Sequence, residues 1–148
     1  MNRSRFGACL GTLALLGLTS AVAQTDIPLD KPTTVDGVEV VCTGIGDSAH
    51  DPRWAAYPLK IVFAGKGGQF VTDVDVTISH DGKALMTAHC GGAWMLAKLA
   101  PGRYELGGVL DNENASTKAV VSAKGQGRAI LRFPGEGGTI SPQHKPTD

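Results

Sequence analysis

Apolar and polar side chains alternate with a period of two along most of the chain, which places successive residues on opposite faces of a strand. The clearest case is residues 71–79, where Val74, Val76 and Ile78 share one face and Asp73, Asp75, Thr77 and Ser79 the other. Asp81-Gly82 follows at once and predicts a hairpin, because glycine takes positive φ without strain. Residues 83–90 then return, with Leu85 inward if the turn has two residues. Residues 38–43, 57–64, 93–99, 103–110, 117–123 and 128–133 show similar short alternations, separated by Gly-, Pro- and Asp/Asn-rich breaks. Only residues 51–56 look helical: Asp51 would cap a single turn whose first residue, Pro52, needs no N–H partner. Regular short strands with turn chemistry between them predict an all-β protein, a seven- to eight-stranded β-sandwich of transthyretin-like or immunoglobulin-like type with one short helical turn.

The ends depart from this pattern. Arg3 and Arg5 precede an apolar stretch that ends in Ala21-Val22-Ala23, the arrangement that signal peptidase reads, so residues 1–23 are expected to be cleaved before Gln24. The apolar run is shorter than the roughly 18–20 residues a membrane span needs, and Cys9 lies too early in it for a lipoprotein anchor. Residues 24–37 read as an extended leader that could add to a sheet edge, 38–133 as the sandwich domain and 134–148 as a flexible polar tail. The expected location is periplasmic, with no stable membrane insertion after cleavage.

Removing residues 1–23 takes two of the 14 cationic side chains and none of the 14 acidic ones, leaving 125 residues with a formal charge of −2. No basic stripe is present to attract nucleic acid, and the densest basic crowding, Arg128 and Arg132, is expected to decorate the outer face of a strand. Cys9 leaves with the signal, so Cys42 and Cys90 remain, an even pair in an oxidising compartment and hence an expected disulfide. Metal thiolates or a redox couple are the rival reading, but Cys-x-x-Cys spacing is lacking.

The segment Leu99-Ala100-Pro101-Gly102-Arg103-Tyr104-Glu105-Leu106 resembles the L-x-P-G-x-Y corner of carboxypeptidase regulatory-like domains, which are transthyretin-like sandwiches. Gly44-Ile45-Gly46, residues 57–64 and Gly68-Gln69-Phe70 extend the likeness to single-domain exported proteobacterial proteins of undefined function. Cys90, and Ala93 where a proline is common, depart from that group. The same fold includes the hydroxyisourate hydrolases, but their terminal Tyr-Arg-Gly-Ser is absent, so hydrolase activity is not implied.

Candidate chemistry is thin. His80, His89 and Met86 flank one hairpin and form a weak candidate set for copper or zinc, although the two histidines lie near opposite ends of it. His50 and His144 have no neighbour that would orient a base, and no Gly-x-Ser-x-Gly elbow appears. Asp73 and Asp75 share a face, spaced for a carboxylate pair or a calcium site, yet an exposed polar face also explains them. Trp54 and Tyr57 read either as a plug closing one end of the sandwich or as a binding surface for a partner or ligand. The expectation is a non-catalytic module without a cofactor that serves an envelope protein or glycan, with periplasmic metal handling as the alternative.

Mass spectrometry of the exported protein is expected to show a chain starting at Gln24, two hydrogens lighter than its reduced form. Free thiols at Cys42 and Cys90 would contradict the pairing.

Overall fold

The computed structural model describes residues 24–135, so the expected signal peptide and residues 136–148 of the expected tail lie outside the described residues. Ten strands occur: β1 (Thr25–Ile27), β2 (Thr33–Val35), β3 (Val38–Thr43), β4 (Leu59–Ala64), β5 (Val74–His80), β6 (Lys83–Cys90), β7 (Trp94–Lys98), β8 (Gly102–Leu110), β9 (Glu113–Val121) and β10 (Gly127–Arg132). They form two five-stranded sheets, ordered β1-β6-β5-β8-β9 and β10-β4-β7-β3-β2, packed as a sandwich. The all-β sandwich is therefore present, with ten strands where the alternation predicts seven or eight. The single helical turn becomes two 3-10 turns, Asp47–His50 and Pro52–Ala56.

The leader accounts for the largest discrepancy. Residues 24–37 contain two edge strands, one for each sheet: β1 runs parallel to β6, and β2 pairs antiparallel with β3. Three-residue strands carry too little periodicity to be recognised from sequence. They form here because two deep strands offer them a hydrogen-bonding edge.

Between the sheets the inward positions interlock. Leu59, Ile61 and Phe63 of β4, Ile78 of β5, Met95 of β7, Leu106 of β8 and Leu131 of β10 are all essentially inaccessible to solvent. Gly108 of β8 sits on this inner face, and a Cβ there would meet Phe133 Cζ at 2.9 Å, so the missing side chain makes room for the ring. Three hairpins turn on two residues with positive φ, Asp36-Gly37, Asp81-Gly82 and Asp111-Asn112, the geometry that matches strand twist.

One irregularity changes which residues face inward. The β5–β6 register shifts between Ile78 and Ser79, so Ile78 pairs with Met86 while Ser79 pairs with Ala84. The extra residue of the bulge re-phases the strand. Met86, Ala88 and Cys90 occupy the buried line, and Leu85 is only half-buried against the core, in place of the inward role expected for it.

Cys42 of β3 and Cys90 of β6 form a disulfide with Cα atoms 5.5 Å apart, so the bond joins one sheet to the other. The leader crosses directly over it. Ile27 pairs with Cys90, Leu29 bridges to Cys42, and the Asp30 N–H donates to the Cys42 carbonyl at 2.8 Å. The Thr43 hydroxyl then donates to the Asp30 carboxylate at 2.6 Å. Both cysteines are fully buried beneath this strap.

The disulfide spans a sequence separation of 48, and its loss in a Cys42→Ala/Cys90→Ala protein is expected to cost about 4 kcal/mol by loop-closure entropy. The midpoint of urea unfolding checks this, and an unchanged midpoint would show that the bond contributes nothing.

Candidate functional site

The two outer faces of the sandwich differ in what covers them. On the sheet β10-β4-β7-β3-β2, the outward residues form three cross-strand rows. Arg128, Lys60, Leu96 and Val41 make one row, Ile130, Val62, Trp94 and Thr43 the next, and Arg132, Ala64 and Phe70 the third.

A folded-over segment covers the part of this face around Val41 and Leu96. Asp51 caps the second 3-10 turn by accepting from the Arg53 N–H at 2.9 Å, and its carboxylate also holds the Arg53 guanidinium at 2.6 Å. The turn lays Trp54 and Tyr57 edge to face, centroids 6.2 Å apart, on Val41 and Leu96. Trp54 Nε1 donates to the Ser48 carbonyl at 2.7 Å, and the Gln126 amide donates to the carbonyls of Trp54 and Tyr57 at 2.8 and 2.9 Å. Only 5% of Trp54 and 4% of Tyr57 stays exposed. The two rings therefore seal an outer sheet face and do not plug an end of the sandwich.

Tyr57 also reaches a charge. Its hydroxyl donates to Glu39 Oε1 at 2.7 Å, and Lys98 approaches the same oxygen at 3.4 Å. Burial first, and then the bond to Glu39, push the Tyr57 phenol up to about 12. The Tyr57 hydroxyl in turn holds the Glu39 carboxyl below its ordinary range, with Lys98 adding to the effect.

Among the described residues, no such lid covers the rest of the face. Phe70 packs edge-on to Trp94 with centroids 5.8 Å apart, and the Lys60 ammonium stands 3.6 Å above the Trp94 ring. Gly44, with φ of 102°, passes so close to the indole that a Cβ would meet Trp94 Cδ2 at 2.9 Å. Burial, followed by repulsion from Arg128, holds the Lys60 amine below the usual lysine range. Among the described residues no carboxylate pairs with Lys60, Arg128 or Arg132. Ile130, between the two arginines on β10, is 38% exposed. A cation held over an indole, two further cations and an exposed aliphatic side chain are suited to a ligand that is anionic and partly apolar.

The opposite face carries paired polar groups, with Val109 and Val120 exposed among them. His89 Nδ1 lies 2.7 Å from Asp75 Oδ1, and its Nε2 lies 3.7 Å from Asp73 Oδ1, so both aspartates close on one imidazole. His80 is at the far end of the hairpin, where Nδ1 donates to the Arg103 carbonyl at 2.7 Å and the ring lies over Tyr104. Met86 points into the core. Met86 and His89, three residues apart on β6, therefore face opposite sides of the sheet, and the three residues are not brought together. Among the described residues no group of three His, Cys, Asp or Glu side chains is placed to hold a metal ion. A shallow cavity of about 400 Å³ lies over β8 and β9, lined in part by Arg103, Glu105, Lys118 and Val120. His50 ends the first 3-10 turn, exposed, and His144 lies outside the described residues.

Trp94, Lys60 and Phe70 escaped the sequence reading as site residues, and Arg128 and Arg132 were expected only to decorate the outer face of a strand. Their one signal was that Lys60 and Val62 of β4 share the face opposite Leu59, Ile61 and Phe63. Comparison with models of protein families and with curated proteins finds no match for the chain. Among the described residues no helix is long and apolar enough to cross a membrane.

The Tyr57 phenol ordinarily titrates at 10.0 and does so at about 12 in the folded chain, so the contact stabilises fully below pH 10 and is lost as pH rises to about 12. Denaturant midpoints measured across that window are expected to fall in the parent protein, and to fall less in Tyr57→Phe.

Proposed function

We propose that the protein is an exported, non-catalytic β-sandwich module, periplasmic once its signal is removed, which binds an envelope protein or glycan through the outer face of β10, β4 and β7. The observation that carries this reading is Lys60: a half-buried ammonium on the Trp94 ring, without a carboxylate partner among the described residues, beside Arg128 and the exposed Ile130. Clustered like charge costs folding free energy, and a bound anion would offset that cost. The rigid platform beneath supports the same reading, because strands joined across the sandwich by a disulfide hold side chains better than loops do. Membership among carboxypeptidase regulatory-like domains remains part of the proposal and rests on the corner at residues 99–106.

Photo-crosslinking in the periplasm of an expressing cell tests the reading. A benzoylphenylalanine at position 130 is expected to give discrete adducts, whereas the same probe at Val109, 40% exposed on the opposite sheet, is expected to give none of them. Identical patterns from the two positions, or no adduct from position 130, would refute a binding role for this face.

A further inference from the structure

The spacing of charge along β10 narrows the class of ligand. Arg128, Ile130 and Arg132 all point outward from a single strand, so the two guanidinium groups start about 13 Å apart with an aliphatic side chain midway. Lys60 lies directly across from Arg128 in the parallel β4–β10 ladder, which makes that end doubly cationic. Ala64, across from Arg132, adds no bulk, and Phe70 and Trp94 wall the far side of the row. The result is a shallow apolar strip with cations at both ends.

From this charge complementarity we propose that the face takes an extended segment of a partner protein, with carboxylates four residues apart and an apolar side chain between them. An extended chain repeats its side-chain direction every second residue, so one face of such a segment reproduces the spacing of β10 itself. Each carboxylate meets an arginine able to bind it through two N–H groups, with the first shared with Lys60. The central apolar residue rests on Ile130 and the Trp94 edge, and replaces water that now covers them. A ligand carrying the same charge without the central apolar group gains only the exposed ion pairs, which salt screens. This inference deepens the binding reading above and rests on it.

The test uses the disulfide-bonded exported chain and three labelled probes, read by fluorescence polarisation. One is a short peptide with Asp residues four apart and Leu midway. The second has the same composition with its acids adjacent, and the third is an oligogalacturonate. The spaced peptide is expected to bind best, weakening about tenfold or more in Arg128→Gln/Arg132→Gln and little in Arg103→Gln/Lys118→Gln on the other sheet. Arg128→Glu/Arg132→Glu is expected to lose that peptide and gain its Lys-for-Asp counterpart, a result that misfolding would not produce. Equal binding of the two acidic peptides, or binding of the oligogalacturonate alone, would overturn the inference. Adducts at position 130 together with failure of the spaced peptide would overturn the ligand class alone, whereas absence of adducts would remove the binding face itself.

Discussion

The covalent link from Cys42 to Cys90 is the constraint on which the other features depend, because it crosses between the two sheets. A sandwich is held mainly by burial of its two inner faces, which is non-directional and permits the sheets to slide. A bond between β3 and β6 removes that freedom at one edge. It also determines where the leader goes. Ile27 and Leu29 lie beside the two half-cystines in turn, so β1 and β2 extend one sheet each while the chain between them covers the sulfurs. The covered edge then protects the backbone groups of β3 and β6 from adventitious strand pairing.

Fixing the sheets leaves the outer faces free to differ. On one, His89 is matched to Asp75 and Asp73, and Thr77 to Thr87. The other is half sealed by Trp54 and Tyr57, and beside that seal Lys60 stands over Trp94 while Lys60, Arg128 and Arg132 have no carboxylate partner among the described residues. The seal is secured from far along the chain: Gln126, between β9 and β10, holds the carbonyls of both rings' residues. Charge is thus distributed by face, although the formal net charge of the whole sequence is zero.

Individual residues show how far sequence reasoning reached. The alternation at Val74, Val76 and Ile78, the turn at Asp81-Gly82 and the cap at Asp51 are local signals, and the structure contains each of them. The inward placement of Leu85 failed because a bulge is a property of two paired strands, and neither strand's own pattern announces it. Trp54 and Tyr57 read as a plug at one end of the sandwich or as a binding surface, but where they are buried depends on Val41 and Leu96, which come from strands distant in sequence. Trp94 and Lys60 passed unnoticed since 34 residues separate them and only the β4–β7 ladder makes them neighbours.

The sequence alone determined the all-β character, the two-residue hairpin at Asp81-Gly82, and the pairing of Cys42 with Cys90. These follow from period, from glycine's access to positive φ, and from the two cysteines that lie beyond the expected signal. Only the tertiary structure decided that the leader supplies one strand to each sheet, that a bulge turns Leu85 out of the core line, and that Lys60 stands over Trp94. Each of those outcomes depends on which strand lies beside which. Pairing between strands distant in sequence is made by backbone hydrogen bonds that almost every residue type can supply, so the partners appear only when the chain is folded.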